Sequence, residues 1–150
     1  MGDSMMENLE KNKSIVRGYL DEVWNKKNSA AMERFIAPNY VRHCEAMPPP
    51  LQEIQGIEGL EQMFSMTMAA CPDWNEQIEI LSAEGDKVAY LSRATATQEG
   101  PFGPYPASGK SFVVTIIGIH RIANGKITET WVTWDNVAWL TQLGHFPPSA

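Results

Sequence analysis

Gly125-Lys126-Ile127-Thr128-Glu129-Thr130-Trp131-Val132-Thr133-Trp134-Asp135 reads as a turn glycine, a strand, and an aspartate at the strand's end. Asn124-Gly125 is the strongest short hairpin signal, because both residues tolerate the positive φ that a two-residue turn demands. The β-branched run Ser111 to Ile122 supplies the partner strand. On an ideal strand Glu129, Trp131, Thr133 and Asp135 share one face, and Thr130, Val132 and Trp134 share the other. A carboxylate beside apolar rings is a proton-transfer candidate, because such surroundings disfavour its ionised form. Two readings of Asp135 stand: an acid–base group facing a closed pocket, or a cap for the following turn.

Outward from this hairpin the pattern stays strand-like. Asn75 to Ala83 alternates, with Ile78 and Ile80 expected on one face. Glu84-Gly85-Asp86 turns it back into Lys87 to Ala96. Gly100 to Gly109, rich in Gly and Pro, reads as a loop over an opening. Upstream the period is helical. A helix is expected from about Leu9 to Lys27, since Ile15, Tyr19 and Val23 recur at four-residue spacing. Ser29 is expected to cap a short helix, Ala30 to Ile36, which Pro38 ends. Tyr40 to His43 alternates as a short strand. Met47-Pro48-Pro49-Pro50 must be a loop, because proline cannot donate to a ladder or continue a helix. A third helix spans Ile57 to Ala70, and Val137 to Leu143 forms a short closing turn.

Helices first and a strand meander after them mean α+β with segregated layers. A curved antiparallel sheet wrapped on three helices leaves a concave mouth, a usual ligand site. The chain of 150 residues fits one domain. Its expected bounds are 7–146, with residues 1–6 an appended or frayed start.

Composition narrows the function. A net charge of −6, with basic residues scattered, argues against nucleic acid. No apolar run approaches the ~18 residues of a membrane span, and no basic-then-apolar leader is visible. Cys44 and Cys71 match no metal or redox spacing; a disulfide between them is one reading, and free thiols in a reducing compartment such as the cytoplasm are the expected one. No His, Cys and Asp set has metal-ligand spacing, so metal catalysis is disfavoured. No nucleophile elbow and no phosphate loop is present.

The remaining candidates each have two readings. His43 ends the short strand and His120 lies inside the long one; each is either a packed or surface histidine or a partner of Asp135. Tyr19 and Trp24 sit on the first helix, and a buried Tyr19 hydroxyl needs a partner. Trp24, Trp131, Met63 and Phe64 are candidate apolar walls. Arg93 is either a surface ion pair or a pocket cation. Phe102 and Tyr105 are a ligand lid or loop packing.

Taken in order, VRGYLDEVWN (16–25), IAPNYVRH (36–43), AEGDKV (83–88), GPFGPYPASGK (100–110), HRIANG (120–125) and KITETWVTWD (126–135), with Leu140 to Gly144, resemble the SnoaL-like polyketide (ester) cyclases of the NTF2-like superfamily. The resemblance covers about Asn12 to Gly144. It implies a cone-shaped α+β barrel, a homodimer, and a deep apolar pocket for a small metabolite. It also implies metal- and cofactor-free intramolecular aldol chemistry, with Asp135 as acid/base and His43 as the histidine after the second helix. Many members carry a Gly-Thr-His-Thr-Gly run where this chain has Ala96-Thr97-Gln98-Glu99-Gly100, so Gln98 replaces a titratable group with one that only hydrogen-bonds. The expected function is cyclisation or isomerisation of an apolar carbonyl compound. The alternatives are a non-catalytic binding module, or an epoxide hydrolase or dehydratase.

Overall fold

The computed structural model describes residues 4–148. Ser4 caps the first helix, α1 (Met5–Tyr19), in a reciprocal box with Glu7, each side chain bonding the other's backbone N–H. The helix therefore starts earlier than its apolar stripe suggested, and Ser4 to Met6 belong to it. Residues 1–3 of the expected frayed start lie outside the described residues. At its other end α1 widens into a π-helical turn, Leu20–Asn25. A 3-10 turn (Ser29–Ala31) and α2 (Met32–Phe35) follow. Asn28, not Ser29, precedes that turn, and its side chain makes no cap bond. Ile36, expected to end the helix, begins β1 (Ile36–His43) instead.

Then come β2 (Glu53–Gln55), α3 (Gly56–Ala70), β3 (Asn75–Glu84), β4 (Lys87–Thr97), β5 (Ser111–Ala123), β6 (Lys126–Trp134) and α4 (Asn136–Leu143). The six strands form one curved sheet ordered β2-β1-β6-β5-β4-β3. All neighbours are antiparallel except β1 and β6, which run parallel. A parallel pair needs a long crossover, and here everything between β1 and β6 forms it. Asn124 and Gly125 take φ of 52° and 77°, as the tight hairpin between β5 and β6 requires.

One face of the sheet is covered. Along β5, Phe112, Val114, Ile116, Gly118, His120 and Ile122 are buried and the intervening residues up to Ile119 are exposed. Helix α1 packs on β3 and β4, α3 on β1, and α4 on β5. On α3 the inward residues are Leu60, Met63, Phe64 and Thr67, an i, i+3, i+4, i+7 stripe. The expected pairing of Ile78 with Ile80 on one face fails. A register shift between them, a β-bulge, turns Ile80 outward, where it is 60 % exposed. Among the described residues no helix is long and apolar enough to cross a membrane.

Candidate functional site

Between the helices and the sheet lies a cavity of about 490 Å³, within the range of small-molecule sites. Its inner end gathers polar side chains from six elements. The first helix supplies Tyr19. A π-helical turn brings residues five apart together, and Trp24 Nε1 donates to the Tyr19 hydroxyl at 2.9 Å. That bond leaves the phenolic proton of Tyr19 free to be donated. Strand β1 sends Tyr40 and Arg42 inward, β3 sends Glu76, β4 Tyr90, β5 His120 and β6 Thr130.

Glu76 is 7 % exposed, and Ser92 Oγ donates to its Oε2 at 2.5 Å. Its backbone is held from the helix side. Asn25, closing the π turn, donates to Glu76 C=O and accepts from Glu76 N–H, both at 2.8 Å. Burial raises the Glu76 pKa above the usual carboxylate value, outweighing Ser92, Trp74 and Arg42, which favour ionisation. The Trp74 indole N–H lies near this carboxylate without reaching hydrogen-bond geometry with any acceptor.

His120 stacks on Tyr90 with ring centroids 4.9 Å apart, and the edge of Tyr19 meets it at 6.1 Å. Gly118 permits this stack: a Cβ there would fall 2.5 Å from the Tyr90 hydroxyl. The Nδ1 atom of His120 is committed to Thr130 Oγ1 at 2.7 Å, which leaves Nε2 for a ligand. Burial, then the Arg42 charge, lowers the His120 pKa to about 3. Burial pushes Tyr40 up to about 12 and raises Tyr19 and Tyr90 as well. At neutral pH the site thus holds a neutral imidazole, three protonated phenols, one guanidinium, and a carboxylate inclined to keep its proton.

The lining also takes in Met47, Pro48 and Leu51 from the loop after β1, and Phe102 and Tyr105 from the loop before β5. Phe102 and Tyr105 pack on Trp139 of α4. Asn136 ties this part of the lining together: it accepts from the indoles of Trp134 and Trp139 and donates to Ala46 C=O.

Six sequence candidates line the cavity: Tyr19, Trp24, Met63, Phe102, Tyr105 and His120. The others do not. Asp135 is exposed and N-caps α4, accepting from Ala138 N–H at 3.1 Å. The physical reason is parity: Trp134 points inward, so the next side chain points out. His43 and Trp131 lie on the outer sheet face, stacked with centroids 5.6 Å apart, and His43 Nε2 meets Glu129 Oε2 at 2.7 Å. Arg93, also outward, pairs with Glu79. Phe64 packs behind Trp24, its ring centroid 5.1 Å from the indole. Gln98 is fully buried but structural, binding His145 at 2.8 Å and the Tyr105 carbonyl at 3.3 Å. It therefore staples the loop before β5 to the tail after α4.

Arg42 and Glu76 were missed in the sequence, although a signal existed. Each sits in phase with an apolar inward face, Arg42 two residues after Tyr40 and Glu76 two before Ile78. A charge at the core parity of a strand is a site candidate in its own right.

The fold recurs among solved structures. A candidate SnoaL-like polyketide cyclase from Jannaschia sp. CCS1 superposes with a TM-score of 0.83 at 23 % identity, over 98 % of this chain and 99 % of that one. IdmH, a candidate polyketide cyclase from Streptomyces antibioticus, gives 0.77 at 29 % identity, over 89 % and 98 %. A third, from Acidithiobacillus ferrooxidans, gives 0.80 at 26 % identity, over 96 % and 98 %. A protein from Catenulispora acidiphila with a ketosteroid isomerase-like fold shares the architecture, with a TM-score of 0.73. No curated protein matches the chain. The family model for SnoaL-like polyketide cyclases matches residues 14–143, and with that span covering nearly every element of the cone, the chain belongs to the SnoaL-like polyketide cyclase family.

Proposed function

We propose that this protein is a cofactor-independent acid/base enzyme that cyclises or isomerises an apolar, carbonyl-bearing metabolite. The observation that carries the reading is Glu76: a buried carboxylate of raised pKa in an aromatic-walled cavity, beside neutral hydrogen-bond donors. A general base works best with a pKa near the working pH, and burial moves Glu76 in that direction. In this mechanism Glu76 removes a proton from carbon next to the substrate carbonyl. The enolate oxygen takes hydrogen bonds from the Tyr19 hydroxyl and His120 Nε2, which is the electrostatic stabilisation such steps need. In cyclisation the enolate carbon attacks a second carbonyl of the same molecule, and Glu76 returns its proton to the new alkoxide. In isomerisation the proton returns to a different carbon. Both cycles end with Glu76 as it began.

Two further features belong to this reading. The buried free thiols of Cys44 and Cys71 suit a reducing compartment such as the cytoplasm. The outer sheet face, with Ile80, Val113, Ile117 and Ile119 exposed, suits pairing of two copies.

The test follows α-proton exchange from D2O into 2-tetralone by NMR. Wild-type protein is expected to accelerate it, and Glu76→Gln to lose about 10²–10⁴-fold of that rate while keeping its circular dichroism. Equal rates in the two proteins would remove Glu76 from the chemistry. Tight ligand binding without exchange in either would leave a binding module.

A further inference from the structure

Among the described residues two buried side-chain donors lack a hydrogen-bond partner, Trp74 Nε1 and Arg42 Nη1, and only the second belongs to a charged group. Arg42 lies on the cavity wall at 7 % exposure. Among the described residues it forms no ion pair, and its guanidinium lies over the Trp134 ring, 5.8 Å from Cζ to the ring centroid. A buried cation without a partner is among the most unfavourable arrangements in a protein interior.

The neighbouring titratable groups relieve it only in part. Tyr19, Tyr40 and Tyr90 are held in their neutral phenol forms, and His120 stays neutral. Glu76 feels the Arg42 charge, yet its Oε2 is taken by Ser92 and it makes no ion pair with the guanidinium. Glu45, the other carboxylate on the lining, is exposed, on the solvent side. Glu76, when ionised, balances part of the Arg42 charge through space, but it does not bond the guanidinium, so the unpartnered Nη1 is left to an acceptor on whatever fills the cavity.

A ligand carbonyl would accept one hydrogen bond but leave the rest of the charge uncompensated. A carboxylate does both, and its two oxygens match the guanidinium fork. The rest of the wall, with Trp24, Trp74, Phe112 and Trp139, suits a flat apolar body. We propose that the cavity takes a planar aromatic acid whose carboxylate seats on Arg42. This rests on the cavity being the ligand site, and not on Glu76 being catalytic.

The test compares 2-naphthoate with neutral, nearly isosteric 2-naphthamide by titration calorimetry. A charge-assisted pair is worth about tenfold or more in affinity, so wild-type protein is expected to favour the acid by at least about that factor. Arg42→Met is expected to abolish the preference while leaving amide binding nearly unchanged. Replacing an unpaired buried cation by an apolar side chain is also expected to maintain or raise the unfolding midpoint, so the variant should fold. Arg42→Lys, which keeps the charge without the fork, should retain part of the preference, and the outward-facing Arg93→Gln all of it. Equal affinities in wild type, a preference that survives Arg42→Met, or no binding of the acid up to millimolar concentration each overturns the proposal. Proton exchange without acid preference sinks only the Arg42 assignment. Acid preference without exchange sinks only the enzyme reading.

Discussion

Glu76 and His120 share one cavity and respond to its burial in opposite directions. Folding raises the Glu76 pKa and lowers that of His120 from 6.5 to about 3. The two groups therefore weaken the fold at opposite ends of the pH scale. Below the unfolded carboxylate value of 4.5, Glu76 is protonated in both states and costs nothing. As pH rises through its raised folded pKa, the unfolded chain releases a proton more readily and stability is lost. Above pH 6.5 His120 is neutral in both states. As pH falls from 6.5 toward 3, the unfolded chain takes up a proton that the folded chain refuses, and stability is lost again. Relative to wild type, Glu76→Gln is expected to gain stability from pH 4 to 8, and His120→Gln from pH 7 to 4. Each slope is bounded by about 1.4 kcal/mol per pH unit. Urea midpoints at three pH values check both signs.

At the scale of elements, strand ends decide what a residue does. Asp135 closes β6 and opens α4, and its side chain is spent on the Ala138 N–H. Asp135→Ala is expected to cost about 0.5–2 kcal/mol, the usual worth of an N-cap, and Asp135→Asn far less because asparagine caps as well. Both variants should keep wild-type exchange rates; a large loss in Asp135→Asn at unchanged stability would return Asp135 to the chemistry. The π turn after α1 is a second such device. It aligns Trp24 with Tyr19 and ends on Asn25, which grips the backbone of Glu76. An i, i+5 pairing was invisible in a stripe read at the ordinary helical period. Hairpins were legible, because Gly85 and Asn124-Gly125 announce their turns locally. The three-residue β2 was not, being too short to show alternation.

Across the whole molecule, the two faces of the sheet differ in character. The concave face holds the cavity. The convex face carries the ring stack of His43 on Trp131, with Arg121 over the same indole at 5.2 Å and bonded to Glu129. Beside it lies exposed Ile117, 54 % accessible, with Ile119. If this face joins two copies, Ile117→Lys with Ile119→Lys should change a two-chain mass to a one-chain mass by light scattering. A one-chain mass for wild type at micromolar concentration would refute the pairing. The substitutions point away from the cavity, so exchange activity in the monomer is expected to persist unless pairing also shapes the mouth.

By itself the sequence determined the order of the longer elements, the two-residue alternation of most of the long strands and the helical stripes, because these depend on neighbours a few residues away. It also carried the family likeness. It paired Glu129, Trp131, Thr133 and Asp135 on one face correctly, but which face became concave was not a local property. That depended on β1 lying parallel to β6, on register shifts between Ile36 and Val41, Ile78 and Ile80, and Arg121 and Ile122, and on helices packing against one side only. The structure chose the cap from the two readings the sequence left open for Asp135, and only tertiary structure brought Arg42, Glu76 and His120 together from three distant strands. Only that enclosure removes water from around them, and the loss of water is what shifts their chemistry.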